Sequence, residues 1–132
     1  MKNQMTKWLP TDNILDIMFV EELHDDYEGF RILLQGEEKS SKILKLTFDD
    51  KLCYRNIDEG YSFNSRSISN NQDLGKTFYI IKNSSYIEYF HEITCNIYSD
   101  WDIVHYAIYT ESDCIDILSC FEPKVEWLQP IM

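Results

Sequence analysis

Large apolar residues recur at alternate positions through much of the chain, the spacing of a β-strand with one buried face. Phe30, Ile32 and Leu34 share one face of a run from Gly29 to Gln35, with Arg31, Leu33 and Gln35 on the other. Between Ile43 and Phe48, Leu44, Leu46 and Phe48 alternate with Ile43, Lys45 and Thr47. Beyond Asp49-Asp50, Leu52, Tyr54 and Asn56 alternate with Cys53, Arg55 and Ile57, so these two runs read as a hairpin. Ile14 to Leu23 mixes helical and alternating spacing, but its β-branched and aromatic content favours a strand, with His24-Asp25-Asp26 as the turn after it. Four successive strands with short connections predict an antiparallel meander.

The second half changes register. Residues 60–75 are rich in Ser and Asn and poor in apolar anchors, which predicts a long polar loop. Strand spacing returns from Thr77 to Lys82. Ser85 and Glu88 then stand at capping-box spacing, and Tyr86, Phe90, Ile93 and Ile97 follow at helical spacing. The prediction is a helix over about 85–98 that buries those four residues and turns Glu88, Glu92 and Asn96 outward. Ile103 to Thr110 and Ile115 to Cys120, joined by Glu111-Ser112-Asp113, read as a C-terminal hairpin. Val104, Tyr106 and Ile108 take one face of its first strand, and His105, Ala107 and Tyr109 the other. Pro123 ends the hairpin, and Val125, Trp127 and Leu128 form a short closing segment. Residues 1–13 read as a loosely held arm, with Trp8 and Leu9 tucked onto the core. The expected class is α+β: residues 1–132 as a single domain, with one main helix packed on a curved antiparallel sheet.

Composition bears this out and adds charge. A chain of 132 residues, 44% hydrophobic and 14% aromatic, can bury a core without metals or disulfides. The formal charge is -11. Such a surface repels phosphate backbones and anionic bilayers, so neither nucleic acid nor membrane is an expected partner. The first ten residues lack the apolar stretch of a signal peptide, which leads to the expectation of a cytoplasmic protein. Cys53, Cys95, Cys114 and Cys120 are then expected to remain thiols.

Recognisable catalytic chemistry is sparse. The four glycines, at 29, 36, 60 and 75, do not have the spacing of a phosphate-cradling loop. His24, His91 and His105 form no metal-ligating pair with each other or with a cysteine at short spacing, so no metal or other cofactor is expected. The acidic doublets, such as Asp25-Asp26 and Asp49-Asp50, sit at turns, and neighbours on a strand point to opposite faces, so no doublet makes a catalytic dyad. The chain is read as having no catalytic residues. An enzyme using His91 or His105 with a carboxylate is the alternative, and a homo-oligomer built on a sheet edge or a Trp127 patch is a third.

The uneven distribution of charge is more informative. Residues 1–82 hold fourteen acids and eleven bases, a net of -3, whereas residues 83–132 hold nine acids and one base, Lys124, a net of -8. Glu88 and Glu92 repel each other at helical spacing, and aromatic residues lie among the acids. Charge that adds nothing to local stability suggests a partner of opposite sign. The candidate partner-binding face is Glu88, Glu92, Asp100, Trp101, Asp102, Tyr109, Glu111, Asp113 and Asp116.

In size and acidity, and in the segments Tyr54-Arg55-Asn56-Ile57-Asp58-Glu59 and His105-Tyr106-Ala107-Ile108, the chain resembles the small immunity or antitoxin proteins encoded beside bacterial polymorphic toxins. That resemblance implies a basic partner, such as a toxin nuclease, held by charge complementarity. The best-known nuclease immunity proteins are helical bundles and this chain reads as strands, so it implies neither their fold nor their residues.

Overall fold

The alternating runs become two antiparallel sheets that share one apolar seam. The computed structural model describes residues 3–15, 17–38, 40–58 and 77–130. In chain order the elements are β1 (Gln4–Lys7), β2 (Phe19–Asp26), β3 (Gly29–Gln35), β4 (Ile43–Phe48), β5 (Lys51–Asp58), β6 (Phe78–Lys82), α1 (Ser85–Ile93), β7 (Val104–Tyr109), β8 (Asp113–Ser119) and β9 (Lys124–Leu128). One sheet has the order β1-β6-β7-β8-β5 and the other β2-β3-β4-β9. The class is α+β, with α1 the single α-helix among the described residues. The loop expected at 60–75 lies outside the described residues.

Positions of period two fill the space between the sheets. Phe30, Ile32 and Leu34 of β3 and Leu44, Leu46 and Phe48 of β4 cluster with Phe78 of β6, Tyr106 and Ile108 of β7, and Ile115 and Ile117 of β8, each no more than 2% exposed. Each such side chain contributes roughly 1.5–3 kcal/mol by leaving water. Trp8 extends the seam, its ring 4.9 Å from Tyr106 and 5.9 Å from Phe78.

The predicted meander of four is corrected at one junction. β2, β3 and β4 do pair in succession, but the chain crosses at Asp49-Asp50 to the other sheet, where β5 pairs with β8. β9 takes the place beside β4, pairing Ile43 with Leu128 and Thr47 with Lys124. The register of β5 explains the crossing, because it sets Arg55 opposite Asp116, Cys53 opposite Leu118 and Ile57 opposite Cys114. The same register gives the buried Asp116 carboxylate a cationic partner, so the charge is not left unpaired away from water. The β2–β3 turn also falls later than the expected His24–Asp26. His24 pairs with Arg31 within the ladder, and Asp26 closes the turn by accepting the Glu28 amide at 2.9 Å and Arg31 at 2.8 Å. Gly29 follows with φ 109, a conformation that favours glycine.

The N-terminal arm is not loose. Gln4–Lys7 pairs with β6 from Lys82 to Tyr79, Met5 packs against the Ile81 cluster, and Thr6 Oγ1 donates to the Ile80 carbonyl at 3.0 Å. The exposed edge of β6 needs a partner, and the arm supplies one. Trp8 tucks onto the core as expected, but Leu9 stays exposed.

The helix is real but shorter than predicted. Its N-cap is Ser84, whose hydroxyl accepts the Ile87 amide at 3.0 Å, while the Ser85 amide donates to Asn3 Oδ1 at 2.8 Å. It ends at Ile93, because Cys95 and Asn96 turn into the left-handed region at φ 54 and 61. Tyr86 and Phe90 are buried against Leu118, but Ile93 and Ile97, predicted to continue that stripe, are 57% and 73% exposed.

Candidate functional site

The outward faces of the two sheets differ. That of the β2-β3-β4-β9 sheet is polar and its charges are paired, Arg31 with Asp26 and Lys45 with Glu126. The outward face of β7 and β8 is buried instead. His105, Ala107 and Tyr109 alternate along β7, and Cys114, Asp116 and Leu118 along β8, none more than 5% exposed. Helix α1 crosses the Leu118 end of this face.

Two charged or titratable groups on that face must find partners. Asp116 Oδ1 accepts from His105 Nε2 at 2.7 Å and from the Tyr109 hydroxyl at 2.8 Å, and Oδ2 accepts from Arg55 Nε at 3.0 Å. His105 Nδ1 lies 2.7 Å from Ser84 Oγ. In the neutral tautomer whose Nε2–H donates to the carboxylate, Nδ1 accepts from the Ser84 hydroxyl, which in turn accepts from the Ile87 amide. Every member is satisfied, and the chain of bonds runs from Arg55 on β5 through β8 and β7 to the first turn of α1. Arg55 also lies over the Tyr86 ring, 4.2 Å from its centroid, and the Cys53 thiol donates to the Tyr86 hydroxyl at 3.3 Å. Burial pushes the Asp116 carboxyl up, but the hydrogen bonds from His105 and Tyr109 and the Arg55 guanidinium outweigh it and hold the group below the usual carboxylate value. The Tyr109 phenol is pushed up by burial and by the negative Asp116 beside it.

Ser84, His105 and Asp116 stand in the order of a nucleophile, a base and an orienting acid. Ser84 is 5% exposed, and its hydroxyl is engaged by Ile87 on one side and His105 on the other. The array ties the helix N-terminus to the sheet and fixes what the helix presents. His91 lies in the last turn of α1 beside Phe90, with Nδ1 buried and without a hydrogen-bond partner among the described residues. Among the described residues no group of His, Cys, Asp and Glu could hold a metal, and Cys53, Cys95, Cys114 and Cys120 form no disulfide.

The expected acidic face separates into three parts. Asp116 and Tyr109 are corrected outright, being 3% and 5% exposed and bonded to each other inside the network. A charge between Ile115 and Ile117 in a strand covered on both faces folds inward to its partners rather than outward to solvent. Glu111 and Asp113 lie at the β7–β8 turn, beyond the far end of β7 from Asp102. Six strand residues separate the two ends by roughly 20 Å. Glu88, Glu92, Asp100, Trp101 and Asp102 remain together on the helix and the turns that follow it. Among the described residues, no base pairs with Glu92, Asp100 or Asp102.

The sequence reading missed that this region also exposes apolar side chains. Tyr89, Ile93, Ile97 and Trp101 are 54%, 57%, 73% and 49% exposed. Tyr89 and Ile93 are four apart and share a helix face. Trp101 is braced from within: Phe90 stacks on Tyr98 at 5.7 Å, and Tyr98 meets Trp101 edge-on at 4.6 Å. A seven-residue spacing of Tyr86 and Ile93 had suggested one stripe, but a helix of nine residues has room for two faces and this one buries only Tyr86 and Phe90. No protein-family model, curated protein or solved structure matches the chain. No helix among the described residues is long and apolar enough to cross a membrane.

Proposed function

We propose that the chain is a protein-binding module whose α1-and-turn face takes a basic partner, in the manner of an immunity protein that blocks a toxin nuclease by charge complementarity. The observation that supports this reading is the exposed row of Tyr89, Ile93, Ile97 and Trp101 set among Glu92, Asp100 and Asp102. Apolar and aromatic side chains at the centre of a patch, with charge of one sign around them, are the composition of a recognition surface. The acids accelerate encounter, and the aromatic and branched side chains slow release. The buried Ser84–His105–Asp116–Arg55 chain supports it further, because a face held rigid before binding loses little entropy on binding.

The test is association with a purified basic nuclease domain encoded next to this chain, followed by stopped flow at several salt concentrations. The combined change Glu92→Lys, Asp100→Lys and Asp102→Lys is expected to slow association roughly 10–100-fold at low salt and to flatten its salt dependence. Ile93→Ala and Tyr89→Ala are expected to act on dissociation instead. An association rate and salt slope unchanged by the triple reversal refute the reading.

A further inference from the structure

A groove of about 590 Å³ opens beside this face, lined by Leu52, Trp101, Cys120 and Phe121 with Asp50 and Asp102 at its margins. Its two aromatic residues are anchored differently, Phe121 through its backbone and Trp101 through its ring. Phe121 is 65% exposed, yet its backbone is clamped by Ser119, a residue 1% exposed whose hydroxyl donates to the Phe121 carbonyl at 2.9 Å and accepts the Phe121 amide at 3.2 Å. Trp101 is held by the Phe90–Tyr98 stack behind it. The clamp fixes the backbone from which the Phe121 ring stands in water, and an exposed apolar ring beside Trp101 is open to contact something outside the chain.

The charge of the groove narrows what that is. Lys51, the one base on its lining, is turned to other partners: its ammonium lies 3.2 Å from Asp25 and 5.6 and 5.7 Å from the Phe30 and Tyr54 ring centroids. Asp50 and Asp102 have no base beside them among the described residues. Asp102 is felt across the groove, because the Cys120 thiol is pushed up first by burial and then by that carboxylate. Aromatic faces attract a planar cation by its charge and its shape, and a carboxylate fixes it by paired hydrogen bonds.

We infer that this groove receives an arginine side chain of the basic partner, stacked against Trp101 and Phe121 and paired with Asp50 or Asp102. The inference rests on the proposed binding function and names what enters beside the helix face. Arginine fits better than lysine here because its weakly hydrated guanidinium tolerates aromatic walls that strip water from an ammonium.

The experiment follows the indole N–H resonance of Trp101, assigned by Trp101→Phe, during titration with N-acetyl-arginine amide, N-acetyl-lysine amide and N-acetyl-citrulline amide. The arginine compound is expected to shift the resonance saturably in the millimolar range. The lysine compound should bind about threefold or more weakly, and the uncharged citrulline compound should produce no saturable shift. Asp50→Asn with Phe121→Ala, both away from α1, should weaken arginine binding about tenfold and leave the chain folded by its amide spectrum. The same double variant should speed release of the basic nuclease domain about tenfold while leaving its association rate near that of the parent. A Trp101 resonance unmoved by arginine, or moved equally by citrulline, overturns the groove assignment. If the nuclease domain binds and responds to the charge reversals at Glu92, Asp100 and Asp102 but not to Asp50→Asn with Phe121→Ala, the groove assignment alone fails. If arginine binds as expected and the nuclease domain ignores those reversals, the proposed function fails.

Discussion

Replacing Asp116 tests whether the buried chain of hydrogen bonds holds the helix face in place. Asp116→Ala takes away the acceptor of His105 Nε2, in a residue 2% exposed, and one hydrogen bond of the Tyr109 hydroxyl, in a residue 5% exposed. Each buried hydrogen bond broken from one side costs about 1–3 kcal/mol. Arg55 is 40% exposed in its side chain and can turn to water, so its loss adds little. The sum agrees with the roughly 3–5 kcal/mol typical of breaking a buried ion pair from one side. For 132 residues, an unfolding entropy of about 2.1 cal/mol/K per residue gives a fall in melting temperature of roughly 10–18 °C. The assay is calorimetry near neutral pH, with urea unfolding of the Asp116→Asn variant across an acid series. Because the folded carboxyl titrates below its usual value, its stabilisation is fully present above about pH 4 and is lost as the pH falls through the folded value. The gap between parent and Asp116→Asn therefore closes in acid. A loss under about 1 kcal/mol for Asp116→Ala, or a gap that stays constant below about pH 4, refutes the network as the anchor of the helix.

Neighbouring residues give sharper contrasts. Ser84→Ala removes the helix cap and the donor to His105 Nδ1 and is expected to cost about 2–4 kcal/mol in urea unfolding, whereas Ser85→Ala, at the cap position the sequence suggested, should stay within about 0.5 kcal/mol. Arg55→Lys keeps the charge but loses the planar stack on Tyr86, so it should destabilise by about 1 kcal/mol and leave a residual contact with Asp116. Tyr86 and Tyr109 are both raised by burial, which means that unfolding releases phenolic protons more readily than the fold does; stability is full below about pH 10 and declines above it, visible as a phenolate absorbance step coincident with loss of ellipticity. Deleting residues 1–7 exposes the β6 edge and removes the Asn3 contact to Ser85, so the truncated chain should unfold at lower urea and self-associate on sedimentation.

Strand faces were legible in the sequence because alternation is imposed by backbone geometry and needs no knowledge of neighbours. Phe30, Ile32 and Leu34, and Tyr106 and Ile108, lie on the faces their spacing predicts. Which strands pair was less legible. Asp49-Asp50 has the composition of a hairpin turn whether the chain reverses within one sheet or crosses to another, and the deciding contact, Arg55 with Asp116, spans 61 positions. The arm at 1–13 looked unanchored because its anchor is the edge of β6, far along the chain. The inward turn of Asp116 had a signal that charge counting obscured: with Ile115 and Ile117 on one face and Cys114 and Leu118 on the other, the strand has no polar face to offer it. The exposure of Ile93 and Ile97 had none, since the helix stops where Cys95 and Asn96 adopt a conformation that no spacing rule encodes.

The crossing at Asp49-Asp50 also sets when the molecule can close. Of the first 58 residues, only β2, β3 and β4 can pair among themselves; β1 waits for Lys82, β5 for Ser119 and β4's second edge for Leu128. A nascent chain therefore carries open strand edges until β8 and β9 have left the ribosome. Closing loops of that length makes folding slow relative to a meander of the same size. The same delay leaves β4 and β5 as exposed templates for mispairing during synthesis. Lys45 and Lys51, set on those two strands, are charges of the kind that discourage such pairing before the correct partner arrives.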